Sequence, residues 1–270
     1  MARALRERLP HLRIVGVDRD EVIQAPATQA FTDECISEGD TSAALRAFAA
    51  SDLVFLAAPV SGIRHWLGAA LSQGTLVTDC GSTKRELLLA AHSSPFAERF
   101  VPGHPMAGAG VGAGVGSADL FVGRSWVLCP EGVDPAAFQA VERLVCCLGA
   151  RPVLMSAAAH DRAVALTSHV PRLVASALTA LVAREQAFDA AGPAFERLAR
   201  GAGGSPQMWA DVLGTNADEV ARALRLVLGE LEACAGELEL GAGLERNLET
   251  LAEAERARAA FERGSSSGRH

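Results

Sequence analysis

The sequence predicts an α/β fold: a parallel-sheet domain over residues 1–156, followed by an all-helical domain over residues 157–270. Two observations carry this. Through the first half, short apolar runs alternate with amphipathic stretches, the pattern of βαβ units on a parallel sheet. After Ser156 the strand-like runs stop, and long helical patterns rich in Ala and Leu take over.

Residues 1–10 read as a helix, and 12–18 as a strand ending in the acid Asp18. Residues 53–60 are almost wholly apolar, as expected of a strand covered on both faces. Residues 75–79 form a third strand, with a helix over 84–92. Further strands are expected at 100–104, 126–129 and 151–155, and an amphipathic helix at 135–148. The order is Rossmann-like. Residues 157–184 form one long helix with an internal Pro171. Long helices follow at 217–237 and 244–263, and 264–270 is a frayed polar tail. Helices of this length and composition often pack on a partner subunit, so a homodimer is expected.

The composition excludes several classes. A net charge of −7 argues against nucleic acid as a partner. No apolar run reaches the roughly 18 residues that span a bilayer; the longest, at 173–183, lies between Arg172 and Arg184. Arg3, Arg6 and Arg8 are followed by Pro10, His11 and Arg13, where a signal peptide needs an apolar stretch, so no membrane partner and a cytoplasmic location are expected. The cysteines, Cys35, Cys80, Cys129, Cys146, Cys147 and Cys234, make no C-x-x-C pair and no zinc-like spacing with histidine. They read as buried reduced thiols, and no metal is expected. Glycine at every second position over 108–116 reads as a mobile loop beside a site; it does not match G-x-G-x-x-G.

Several stretches could carry chemistry. Asp18 at a strand end could accept hydrogen bonds from an adenosine ribose, which favours NAD; Arg19 beside it could instead pair with the 2′-phosphate of NADP. The run Asp-Cys-Gly-Ser-Thr-Lys at 79–84 opens a helix after a strand, which puts Ser82 and Lys84, the single lysine, at the ligand-binding edge of a sheet. A plain helix cap by Ser82 fits as well. His104 stands at a strand end before the glycine-rich loop, placed as a general base or as a structural cap. On the long helix, Asp161, Ser168 and Arg172 fall near one face, and His169 neighbours Arg172; Pro171 frees the carbonyl of Thr167. Polar groups beside such a defect serve either a site or a helix–helix contact. Arg200 could hold a carboxylate in bidentate fashion, and Trp209 alone reads as core.

Together these stretches resemble the prephenate dehydrogenase family, the prephenate and arogenate dehydrogenases of tyrosine biosynthesis. The most specific element is Gly-His-Pro-Met-Ala-Gly at 103–108, with Ala-Asp-Leu-Phe at 118–121 after it. Thr-Asp-Cys-Gly-Ser-Thr-Lys at 78–84, His160-Asp161 and Ser-His-Val-Pro at 168–171 support it, in the family's order, from about residue 2 to about residue 230. The resemblance implies NAD(P)-dependent oxidative decarboxylation of prephenate or arogenate. It implies His104 and His169 as catalytic residues, and Ser82, Ser168, Arg172, Arg200 and Trp209 as substrate-binding residues, Trp209 reaching the site either within the chain or from the partner subunit. Asp18, Arg19, Pro59, Ser82 and Lys84 would bind the cofactor, NAD or NADP.

Three departures from the family stand out. Ala109 and Gly110 occupy positions where the family usually has a hydroxyl residue and a glutamate, in a loop about one residue short. Arg172 stands where histidine is common, so prephenate and arogenate both stay open. The family's opening strand and G-x-G-x-x-G turn, a central strand and the pyrophosphate cradle, have no counterpart. Two expectations follow: a start lying roughly 10–15 residues further upstream, or an impaired dimeric remnant or regulatory pseudo-enzyme that binds NAD poorly. A β-hydroxyacid dehydrogenase fits less well, because Ser168 and His169 stand where that family has a helix lysine.

Overall fold

The computed structural model describes residues 1–108, 117–241 and 244–267. The chain opens with α1 (Ala2–Arg8), β1 (Val15–Asp18), the single turns α2 (Asp20–Ile23) and α3 (Pro26–Gln29), and β2 (Glu34–Ser37). Next come α4 (Thr41–Ala49), β3 (Leu53–Leu56), α5 (Val60–Leu71), β4 (Leu76–Asp79), α6 (Arg85–Ala91), β5 (Phe100–Val101) and β6 (Gly103–Pro105). β7 (Ser125–Leu128), α7 (Pro135–Cys147) and β8 (Arg151–Leu154) complete the α/β half. The helical half runs through α8 (Ala157–Val164), a π turn (Ala165–His169), α9 (Val170–Arg184), α10 (Pro193–Arg200), α11 (Pro206–Gly214), α12 (Ala217–Leu240) and α13 (Glu245–Ser267).

The strands form three ladders. β1 and β2 pair in parallel; β3, β4 and β5 form a parallel trio in that order; β6 pairs antiparallel with β7, which pairs parallel with β8. Among the described residues, β1 bonds only to β2, and β3 only to β4, so the first two ladders stay separate.

Helices cover both faces of the trio. α5 places Val60, Ile63, Leu67, Ala70 and Leu71 on one stripe at helical spacing, packed with Phe48, Val77, Leu87 and Phe100. Each large member contributes about 1.5–3 kcal/mol by leaving water. The opposite face packs Leu5 of α1 and Val141, Val145 and Leu148 around Leu76, Val101, Trp126 and Leu128. Asp134 starts α7 by accepting from the Ala137 N–H at 2.8 Å, with Pro135 at the first helical position.

Some expected boundaries moved. The apolar run at 53–60 splits: β3 stops at Leu56, and Pro59, with no N–H to give a ladder, leads into α5 at Val60. The run at 100–104 splits at Pro102 into β5 and β6, which belong to different ladders. The polar tail expected from residue 264 is helical to Ser267, and 268–270 lie outside the described residues. So does most of the glycine-alternating loop, residues 109–116. The cysteines are not uniformly buried: Cys129 is, but Cys146 and Cys147 are exposed at the end of α7, turned away from its Val141–Val145 stripe. By length and composition alone, Ala157–Arg184 is apolar enough to cross a membrane. It nevertheless turns His160, Asp161 and His169 into the interior.

Candidate active site

The site grows from the end of β4. Asp79 is fully buried, and each carboxylate oxygen is committed: Oδ2 accepts from the Gly81 N–H at 2.7 Å, and Oδ1 from the Gly103 N–H at 2.9 Å. The Lys84 ammonium, also 0% exposed, pairs with Oδ2. Removing one partner of such a pair would strand a buried charge, at about 3–5 kcal/mol. Gly103 is there for space. A Cβ would sit 2.9 Å from the Asp79 carbonyl oxygen and 3.0 Å from Trp126 Nε1. Only glycine lets β6 come this close to β4, and the next residue is His104.

The long helix meets this edge from the other side. Asp161, fully buried, accepts from the backbone N–H groups of Lys84 at 2.8 Å and Arg85 at 2.9 Å, so a side chain of the helical half caps α6 of the α/β half. Arg85 Nε reaches the same carboxylate at 3.3 Å, and the rest of its guanidinium holds Asn216 Oδ1 at 3.1 Å and Asp218. Asn216 Nδ2 donates to the Asp161 carbonyl at 2.8 Å and lies 3.4 Å from His169 Nδ1.

From Asp161 a hydrogen-bonded line runs to the pocket. His160 Nδ1 stands 2.8 Å from Asp161 Oδ1, and His160 Nε2 stands 2.8 Å from His104 Nδ1. A carboxylate only accepts, so His160 Nδ1 carries a proton. In the arrangement that buries no imidazolium, His160 Nε2 then accepts from His104 Nδ1–H. This leaves the lone pair of His104 Nε2 for the pocket, the tautomer a base needs. Burial, and then the positive charge of Lys84 with smaller effects from His160 and His169, holds His104 well below its ordinary value of 6.5. Burial also pulls His169 down to about 4, against the pull of Asp161. Burial pushes the Asp161 carboxyl up, but bonds from His160, Arg85 and Lys84 outweigh it and keep it below the ordinary carboxylate range.

The pocket beside His104 has a volume of about 220 Å³, below the 300–1,000 Å³ of common ligand clefts and suited to a single-ring metabolite. Ser82, His104, Ser168, His169 and Trp209 all line it, with Met106, Met208 and Val212 as apolar walls. The π turn fits this placement: by widening the helix it brings Ser168 and His169 to the same wall, and Pro171 follows directly. Trp209 lies 6.2 Å, edge to face, from His169.

Other expected site residues lie apart from the pocket. Arg172 stacks over Trp209 at 5.1 Å and donates to the carbonyls of Gly201, at 2.8 Å, and Gly203. Arg200 is exposed at the end of α10 and does not line the pocket. Lys84 is enclosed beneath the site, so as a direct cofactor contact it is corrected to a buried counter-ion of Asp79. Asp18 and Pro59 stand where β1 and β3 give way to loops. Asp18 is half exposed and accepts from the Arg19 N–H at 2.8 Å, while the Arg19 guanidinium lies 3.2 Å from Glu21. The sequence expectation singled out His160-Asp161 but gave neither residue a role, and it did not name Asn216. The adjacent His160-Asp161 pair, nine residues before His169, was the available signal.

The chain matches two family models, described as the nucleotide-binding domain of prephenate dehydrogenase over residues 1–154 and its dimerization domain over residues 156–253. A cyclohexadienyl dehydrogenase of Zymomonas mobilis is 28% identical over 86% of this chain and 81% of its own. A prephenate dehydrogenase of Bacillus subtilis is 30% identical over 82% of this chain, which spans only 62% of that protein's length. The crystal structure of prephenate dehydrogenase from Aquifex aeolicus, in complex with hydroxyphenyl propionate and NAD+, superposes with a TM-score of 0.86 at 27% identity, covering 96% of this chain and 93% of that one.

Proposed function

Because this chain belongs to the prephenate dehydrogenase family, we propose that it catalyses the NAD-dependent oxidative decarboxylation of prephenate or arogenate, in the formation of tyrosine. The observation that carries this is the Asp161–His160–His104 line, which ends in an unprotonated nitrogen at a pocket sized for one ring.

His104 Nε2 accepts the proton of the ring C4 hydroxyl. Its own Nδ1 proton can shift toward His160, so the positive charge comes to rest beside Asp161, a division of labour known from Ser-His-Asp sites. As the C4 carbonyl forms, hydride leaves C4; the electron pair of the bond to the ring carboxylate enters the ring, and carbon dioxide departs. NAD, when bound, supplies the hydride acceptor. Ser82, Ser168 and His169 orient the ring, and Trp209, stacked under Arg172, closes the far wall. Asp18, Pro59 and Ser82, open at the strand ends, fit a dinucleotide. The engagement of Arg19 with Glu21 favours NAD over NADP.

The division into residues 1–156 for the dinucleotide and 157–270 for substrate and dimerisation, a homodimer built on the helical half, and a cytoplasmic location complete the reading. An impaired remnant gains no support, since the line of groups serving His104 is complete. The test is NADH formation from prephenate and from arogenate. Replacing His104 by Asn should cost about 10²–10⁴ in kcat while substrate binding stays within a few-fold; an unimpaired variant removes His104 from the mechanism.

A further inference from the structure

We propose that Asp211 is a positioning residue for the reaction proposed above, on which this inference rests: by capping α5 across the cleft between the halves, it holds α11, and the pocket wall that α11 carries, against His104. Two helices of the α/β half begin without a side-chain cap of their own. Their N-cap residues are Pro59 for α5 and Lys84 for α6. Proline has no side-chain acceptor, and lysine carries only donors. In both cases a carboxylate of the helical half takes the place. Asp161 does so for α6. Asp211 does so for α5, accepting from the Ser61 N–H at 2.8 Å. Ser61 is the second residue of α5, a position whose N–H a cap normally serves, and a carboxylate there also meets the positive end of the helix dipole.

The two caps do different work. Asp161 stands behind His160 and the proton line, whereas Asp211 belongs to the helix that walls the pocket. Met208, Trp209 and Val212 of α11 line the pocket. Asp211 and Thr215, four residues apart, lie on the adjoining face. Thr215 Oγ1, just past the end of α11, stands 2.9 Å from Thr83 Oγ1 in the loop between β4 and α6. Toward the helical half, Leu213 packs on the cluster of Ala165, Val170, Val220 and Ala223. Arg172 of α9 also holds the lead-in to α11 through the carbonyls of Gly201 and Gly203. Among the described residues, the side-chain hydrogen bonds that set α11 against the α/β half are those of Asp211 and Thr215. The Asp211 bond is the charged one and so the stronger. Without it the wall is in place only part of the time, and a ligand binds more weakly by that fraction. The His104 line itself rests on β6 and α8, so the chemistry of bound substrate does not depend on Asp211.

The expected result is a split between binding and chemistry. For whichever of prephenate and arogenate the wild type oxidises, Asp211→Ala should raise KM about 10–100-fold with kcat within about threefold. Asp211→Asn keeps an oxygen for the Ser61 N–H and should recover most of that loss. Thr215→Val cuts the neutral tie and should raise KM only about two- to fivefold. Calorimetric titration with 4-hydroxyphenylpyruvate, the product from prephenate, needs no turnover and should weaken in Asp211→Ala by the same factor as KM rises. An Asp211→Ala variant that loses thermal stability while KM and affinity stay at wild-type values overturns the proposal and leaves a plain helix cap. So does one in which kcat falls while KM holds, or an Asp211→Asn variant no better than Asp211→Ala. If the wild type oxidises neither substrate, the activity proposed above fails, and the titration alone decides whether Asp211 positions the pocket wall.

Discussion

The two halves of the chain solve the burial problem differently. The α/β half encloses large side chains completely: Ile63, Leu67, Leu71, Leu87, Trp126 and Leu128 have no exposed surface. The helical half is held by a small cluster, Ala165, Val170, Val220 and Ala223, with Leu173, Val174, Leu213, Leu224 and Val227 partly covered. Along α12 and α13 it leaves Leu231, Leu238, Leu240, Leu248, Leu251 and Phe261 open, Leu240 at 80% and Phe261 at 76%. Such a surface is far more apolar than a lone domain tolerates, which supports a second copy as its cover. The lesson is that the first half encloses its own core, whereas the second joins that frame by polar contacts through Asp161, Asn216 and Arg85 and keeps an apolar surface for the homodimer proposed above.

The polar junction is the most sensitive place to break this division. Asp161→Asn puts an amide where His160 and two backbone N–H groups need an acceptor, which disturbs the tautomer of His104 and uncaps α6. The expected loss is about 10²–10⁴ in kcat, with KM within a few-fold. A variant with normal kcat would mean that the halves meet there for stability alone. The apolar contact is tested next. Leu231→Glu combined with Leu238→Glu places two charges one heptad apart on α12. Sedimentation should then show a monomer at concentrations where the parent is a dimer, while the α/β half keeps its melting behaviour. An unchanged mass moves the interface elsewhere.

Acid gives the gentlest probe. His104 must be neutral to accept a proton, and its folded value lies well below 6.5, so kcat/KM should stay flat as pH falls through 6.5 and drop only further down. A break at or above 6.5 contradicts a buried base. His169, neutral when folded down to about 4, is protonated first in the unfolded chain. Stability should therefore fall as pH drops from about 6.5 toward 4, and urea midpoints across that interval would show it.

Much of this was legible in residue order because the physics is local. The stripe of α5, the capped α7 and the fully buried β4 follow from spacing and end residues. The polar groups grouped around Pro171 marked a helix defect, and a π turn is what stands there. Other features were not local. β2, Glu-Cys-Ile-Ser at 34–37, has too little apolar character to signal a strand, and it owes its conformation to pairing with β1. Lys84 looked like a ligand contact because its burial depends on Asp79 and on a helix more than 70 residues later. His160 was hidden for the same reason: its value comes from His104, brought next to it by the crossing of β6 over β4. Arg200 illustrates the reverse, a residue type suited to carboxylates whose position on α10 leaves it outside the pocket.

The Asp79–Lys84 pair has one more consequence. The sequence holds a single lysine, and it has no accessible surface. A lysine-specific protease therefore has one target, sealed in the frame directly under His104, and it can cut only during moments when β4 and α6 part. The rate of that one cleavage is a clock for opening of the catalytic core. A substrate or cofactor that closes the site should slow the clock in proportion to the time it keeps the core shut.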